Sequence, residues 1–227
     1  RSRFYNSSLC RFIDMDCLIH SGNTFAYCCN SPASMHDVCG TTGDYAYDRD
    51  KVIEYGRQYY NKLDPYYPQR SYRNNCVRFA SQCLYAGLGD DIIAEVYPEW
   101  HCYRNNQRDP ENPEEHDQTR SWRKTNYFYR FLMDSGLAYN TTRLYSGWDL
   151  GLMAEWFQYE PGDFLFFSNG NGADEFYHVA VVSAITENDI LFMGNTTDCF
   201  DASLTAWFQD PENQEKEVVI VCIADQG

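Results

Sequence analysis

The chain has 227 residues, 33 of them acidic and 18 basic, for a formal charge of −15. That balance excludes a nucleic-acid binder, which needs a basic face to displace counterions from phosphate, and it excludes electrostatic docking to anionic membranes or wall polymers. The length allows one large domain, or a medium domain with an appendage. The longest apolar run, Val218–Ala224, is seven residues, against the ~20 that a membrane-spanning helix needs, so no membrane insertion is expected.

At the start of the chain, Arg1-Ser2-Arg3 leads into polar residues rather than an apolar stretch. The expectation is a mature or trimmed chain without a signal peptide. Ten cysteines are many for a reducing compartment and point to disulfides or a metal site. With 19 Tyr, 14 Phe and 5 Trp, they suggest a stable, secreted protein. Cys10, Cys17, Cys28, Cys29 and Cys39 crowd residues 1–46, a stretch with no sustained period. It reads as a Cys-rich, loop-dominated, cross-linked segment ahead of a domain over 47–227.

Asp48 opens a helical pattern in which Val52, Gly56, Tyr59, Tyr60 and Leu63 share a face, with Pro65 as its end. Pro68 begins an extended lead-in to a second helix, whose apolar stripe is Cys76, Phe79, Ala80, Cys83, Leu84 and Gly87. Asn74 or Asn75 is its N-cap, and Gly87 with Gly89 its stop. Residues 104–120 are polar, carry Pro110 and Pro113, and read as an exposed loop. A third helix uses Thr125 as cap, Phe128, Phe131 and Leu132 as core face and Gly136 as stop; Leu150–Phe157 suggests a short fourth. From Pro161 the pattern turns to β-rich runs: Phe164–Phe167, Val179–Ala184, Ile190–Met193 and Val218–Ile223. Asn169-Gly170-Asn171-Gly172 and Glu187-Asn188-Asp189 are turns between them. Helices first and strands later predict an α+β domain with an antiparallel sheet. There is no internal repeat.

Cys76 stands at the first turn of the second helix, where unpaired N–H groups and the helix dipole favour a thiolate and can hold an oxyanion. His178 opens the apolar strand His-Val-Ala-Val-Val, so an imidazole at a strand end can face a helix terminus as general base. Asn195, in the turn after the next strand, is the best-placed third residue to fix the imidazole's tautomer. Each also has a plainer reading. A helix-start Cys is commonly a small buried hydrophobe or bridge partner, a strand-end His is commonly structural, and Asn195 opens Asn-Thr-Thr, a turn or a glycan acceptor.

The stretch Asn75-Cys76-Val77-Arg78-Phe79-Ala80-Ser81-Gln82-Cys83-Leu84-Tyr85-Ala86-Gly87 resembles the Asn/Asp-Cys-x-Asn-Phe-x-Ser-Gln-Cys-Leu-x-Ala-Gly motif of the putative amidase domain family. That family belongs with the papain-like cell-wall Cys/His amidases and peptidases. Tyr47-Asp48-Arg49-Asp50 resembles the family's domain start, and Trp122 with the following helix its middle. Pro161-Gly162-Asp163-Phe164-Leu165-Phe166-Phe167 resembles the superfamily's Pro-Gly-Asp strand, and Tyr177-His178-Val179-Ala180-Val181-Val182 its His strand. The resemblance spans roughly residues 45–225. It implies a papain-like Cys/His hydrolase that cleaves an amide through a thioester, with Cys76 as nucleophile, His178 as base and then acid, and Asn195 as orienting residue. It implies no cofactor, and as substrate a peptide or small amide, including peptidoglycan stem peptides. Arg78 replaces the family's Asn, and Asn195 stands where the family often has His. Those departures motivate the alternative of a catalytically silent binding or structural module that keeps the fold.

With Cys76 as a free nucleophile, Cys83 is the natural second free thiol. It lies seven residues on along the same helix, a rise of about 10.5 Å, too far for a bridge. Cys10, Cys17, Cys28, Cys29, Cys39, Cys102, Cys199 and Cys222 then suffice for four disulfides. The rival is zinc on the near-mirror pair Cys17-x-x-His20 and His36-x-x-Cys39. There is no Gly-x-Ser-x-Gly elbow, His-Glu-x-x-His or phosphate-binding Gly-rich loop.

Overall fold

The computed structural model describes Tyr5–Asn6, Arg11–Phe12 and residues 47–67, 75–89, 99–102, 118–170 and 175–224. The two N-terminal pieces, β1 (Tyr5–Asn6) and β2 (Arg11–Phe12), pair antiparallel. Cys10, Cys17, Cys28, Cys29 and Cys39, with His20 and His36, lie outside the described residues.

From Tyr47 the chain alternates helix and strand more than the sequence suggests. The helices are α1 (Arg49–Tyr59), α2 (Cys76–Leu88), α3 (Arg120–Arg123), α4 (Thr125–Asp134), α5 (Leu150–Phe157) and α6 (Leu204–Gln209). Three are capped as carboxylate and hydroxyl chemistry dictates: Asp48, Asp149 and Ser203 accept from Lys51 N, Leu152 N and Ala206 N. The six-stranded sheet runs β3 (Ala138–Tyr145), β8 (Glu217–Ile223), β4 (Phe164–Ser168), β5 (Phe176–Ile185), β6 (Ile190–Gly194), β7 (Cys199–Ser203), with every neighbouring pair antiparallel. The fold is α+β, as the helix-then-strand order predicts.

Two edge strands escape sequence reading for one reason. In β3 (Ala138–Tyr145) only Leu144 is buried, and β7 has no buried residue, so neither carries an apolar run. The central strands are covered on both faces instead. On one face Phe164, Phe166, Val179, Val181, Val219 and Val221 join α1, α2 and α4 residues in one core. On the other, Leu165, Phe167, Ala180, Val182, Val218 and Ile220 meet Leu150 and Ala154 of α5 and Leu204 and Phe208 of α6 in a second. The molecule is therefore layered helix, sheet, helix, and a strand with two dry faces reads as a continuous apolar run rather than an alternating one. Helix α1 stops at Tyr59, short of the expected Leu63, because the Asp64 carboxylate organises the next turn, accepting from Tyr66 N at 2.9 Å and Tyr55 Oη at 2.8 Å.

A buried clasp joins the helical layer to the sheet. The Arg49 guanidinium donates to Asp163 Oδ1 (3.0 Å), Pro161 O (2.8 Å) and Ile223 O (2.6 Å), and meets Glu160 at 3.2 Å. Asp163, fully buried, also accepts from the N–H groups of Glu160 (2.9 Å) and Ile223 (3.1 Å). Tyr47 Oη donates to Gly162 O at 2.8 Å. Burial pushes the Asp163 carboxyl up to about 6, with Arg49 pulling the other way.

The cysteines correct one expectation. Cys76, Cys83, Cys199 and Cys222 carry free thiols, and no disulfide joins them among the described residues. Cys199 and Cys222 sit on β7 and β8, four strand positions apart in the sheet, about 19 Å at the usual inter-strand spacing and well beyond bridging range. Cys83 is fully buried on the apolar stripe of α2, where desolvation holds its thiol protonated.

Removing the Asp163 carboxylate leaves Arg49 charged and mostly dry. Asp163→Ala is expected to lower unfolding stability by about 3–5 kcal/mol, measured as the shift in urea midpoint; a loss below about 1 kcal/mol shows that the clasp adds no more than a surface pair.

Candidate active site

Cys76 is the first residue of α2, and only 6% of its surface is exposed. Burial pushes its thiol pKa up; against that, the N–H groups of Val179, Val77 and Cys76 itself and the Thr196 hydroxyl all favour the thiolate. These groups surround the first turn of a helix, but burial outweighs them, and the neutral thiol is the resting form. The sheet contributes one of those groups, because α2 packs against β5 and β6.

Asn75 occupies the N-cap position of α2, as expected, but its side chain makes no capping bond. Its Nδ2 instead donates to Asn195 Oδ1 at 2.7 Å. Asn195, 1% exposed, donates from Nδ2 to Tyr59 O (2.5 Å) and Lys62 O (3.0 Å). One buried amide therefore ties the end of α1, the start of α2 and the turn after β6 together. Of the two asparagines that the sequence offers as N-cap, Asn75 takes the position, but a long-range partner takes its side chain.

His178 lies differently. Strand β5 pairs with β4 through Phe167↔His178 and then Ser168↔Phe176, so Tyr177 is an extra, bulged residue. Beyond the bulge the faces alternate: Val179 and Val181 enter the core that holds Cys76, while Ala180 and Val182 enter the opposite one. His178 shares parity with Ala180, and its ring packs 5.3 Å from Phe167, a member of that opposite core. A Cβ on Gly194 would lie 4.0 Å from His178 Nε2 and 3.7 Å from Cys199 Sγ. Desolvation lowers His178 to about 4, so the imidazole is neutral near pH 7. Among the described residues no hydrogen bond joins His178 to Cys76 or to Asn195. The structure brings Cys76 and Asn195 to one side of the sheet and turns the His178 ring to the other. The backbone still brings them near one another, since the peptide N–H that follows His178, that of Val179, is among the groups that favour the Cys76 thiolate.

Two further sequence features find a place. Arg78 Nε donates to Gln118 Oε1 at 2.8 Å, so the residue that departs from the amidase motif is held toward the 118–120 segment. Just beyond α1, Tyr66 and Tyr67 line a cavity of about 490 Å³ with Tyr55, Tyr85, Asp64 and Gln82, whereas Tyr60 packs on Phe200 at 5.6 Å. Thr196 and Asn75 were not singled out for chemistry by sequence reading. The only signal for them is adjacency, to Asn195 and Cys76 respectively.

Asn195→Ala removes three side-chain hydrogen bonds, one buried and two partly buried, and leaves the Asn75 amide and two carbonyls to find new partners. The expected cost is about 2–4 kcal/mol, read by thermal or urea unfolding. An unchanged midpoint shows that Asn195 does not staple the site.

No curated protein and no solved structure matches the chain. A family model described as a putative amidase domain matches residues 46–219. The match takes in the Cys76 helix, the Asp163 clasp, the His178 strand and the Asn195 turn. Membership points to hydrolysis of an amide bond as the coarse activity. The chain belongs to the putative amidase domain family.

Proposed function

We propose that this protein is a cysteine amidase or peptidase, secreted and of papain-like descent, in which Cys76 attacks an amide carbonyl. The observation that carries the reading is the place of Cys76 as the first residue of α2, with the N–H groups of Val77 and Val179 and the Thr196 hydroxyl near enough to favour its thiolate. The same groups that favour a thiolate can hold the oxyanion of a tetrahedral intermediate. The thiolate adds to the carbonyl, the amine leaves with a proton, and water hydrolyses the thioester to release the acid and restore the thiol.

The proton carrier in this scheme is His178. Its ring has to reach the helix-facing side, and the bulge at Tyr177 is the place where that can happen. If the extra residue becomes His178 instead of Tyr177, its side chain turns over while Phe166↔Val179 and the pairs beyond it keep their register. In that arrangement the thiol gives its proton to the imidazole, and Asn195 orients the ring by turning its Oδ1 from Asn75 to it. The substrate class is a peptide or small amide, including peptidoglycan stem peptides; a net charge of −15 disfavours acidic ones. The second reading, a silent binding module that keeps the fold, is favoured by the position of the His178 ring and by the Arg78–Gln118 bond.

The pH profile of thiol alkylation, resolved by residue with mass spectrometry, separates the two. As it rests here, Cys76 is a neutral thiol with a raised pKa, so its labelling is slow at pH 7 and climbs with pH through and above the ordinary thiol range. A formed thiolate–imidazolium pair labels quickly at pH 6–7, slows as pH falls and the thiolate is protonated, and loses that fast phase in His178→Ala. The amidase reading expects the fast phase when a substrate-like peptide amide is present, together with amide hydrolysis that Cys76→Ser abolishes. Slow labelling unchanged by His178→Ala, with and without the peptide, leaves the silent module.

A further inference from the structure

On the sheet face opposite Cys76, the β3–α5 turn and α6 enclose a cavity of about 300 Å³, at the small end of the range for ligand pockets. Its apolar floor is Leu150 and Phe208, both buried. Its polar lining is Ser146, Thr205, Gln209 and Gln214, and its wall is the Trp148 indole. No lining residue is charged, in a chain that carries 33 acidic and 18 basic side chains.

The polar groups have capacity to spare. Among the described residues, the side chains of Ser146, Gln209 and Gln214 make no hydrogen bond, so each offers both a donor and an acceptor. Thr205 donates its hydroxyl proton to Asp189 Oδ1 at 2.8 Å and is left with acceptor lone pairs. The indole is 43% exposed and held edge-to-face against Tyr145 at 5.3 Å. Trp148 precedes the Asp149 cap of α5 and could simply brace that helix start, but a bracing contact would cover more of the ring than this one does. Leu152 and Trp156, themselves 39% and 67% exposed, follow at four-residue steps and continue the apolar strip along the outer side of α5.

We infer that this cavity binds a neutral sugar unit of a glycan. A pyranose has an apolar face of axial C–H groups, whose slightly positive hydrogens pack on the electron-rich face of an indole. It also has a rim of hydroxyls that are donors and acceptors at once, which is what amide and hydroxyl side chains satisfy. A carboxylate or phosphate ligand would find no cation in the lining and a field of charge −15 around it. An ammonium ligand would find no carboxylate. The Leu152–Trp156 strip offers the neighbouring sugar of an oligomer a second stacking surface. Because the sheet separates this cavity from Cys76, the glycan serves as an anchor and not as the bond cleaved.

The test is a titration of the intact chain with chitotriose and, separately, cellotriose, followed by tryptophan fluorescence and by saturation-transfer NMR of the sugar. A saturable change with at least one of them is expected, weakened about tenfold or more by Trp148→Ala and by Gln209→Ala with Gln214→Ala, and unchanged in Cys76→Ala. Circular dichroism melting checks that each variant folds; if Trp148→Ala does not, the exposed glutamine pair decides. No saturable binding of either sugar overturns the proposal, as does binding that survives both sets of variants. Binding lost in Cys76→Ala but kept in Trp148→Ala overturns it too, by assigning the sugar to the amidase site. A positive titration with no amide hydrolysis leaves the sugar site standing without the cysteine chemistry.

Discussion

The fold depends on a buried ion pair at an awkward place, the junction of three distant pieces of chain. Arg49 comes from the first turn of α1, Asp163 from the turn that opens β4, and the Ile223 amide and carbonyl from the end of β8. An isolated carboxylate in such a place would not stay ionised. Here the guanidinium and two backbone N–H groups offset much of the desolvation, without bringing the pKa back to its ordinary range. The geometry orders the rest. With α1 fixed at its start to the centre of the sheet, its far end is held where Tyr59 and Lys62 meet Asn195 and where Tyr55 meets Gln82 of α2. The Asn195 contact sets where α2 begins, and α2's first residue is Cys76.

The two clasps differ in kind. The Arg49–Asp163 pair is electrostatic and joins layers. The Asn195 amide is neutral and uses one acceptor and one donor group on three partners, a fully satisfied network of the kind that specifies one arrangement. In this resting arrangement the residue holds the helix that carries the sulfur, and it does not touch the imidazole.

Sheet parity sets the remaining constraint. Side chains alternate strictly along a strand, so a residue's face follows from the nearest bulge and not from the residue's chemistry. His178 directly follows the bulged Tyr177, and on that single offset hangs whether its ring meets the thiol or Phe167. The same alternation gives the molecule two distinct sides. Helix α2 and the sulfur lie on one, and the α5–α6 layer with its uncharged, aromatic-walled cavity lies on the other.

The amino-acid sequence by itself determined the elements whose signals are local. The α2 stripe, the Asp48 cap, the apolar runs of β4, β5, β6 and β8 and the α+β order are all written in spacing and composition, and so is the family motif around Cys76. Strands β3 and β7 were hidden because half-exposed edges carry no apolar run. The pairing of thiols could not be read because a bridge is a matter of distance, and strand order, not residue count, separates Cys199 from Cys222. Only the tertiary structure decided that Asn75 gives its side chain to Asn195 rather than to its own helix. The same is true of the Arg49–Asp163 clasp, and of the face His178 shows. Each of these is a contact between residues far apart in the chain, or the outcome of one extra residue in a ladder, and neither leaves a trace in the local pattern.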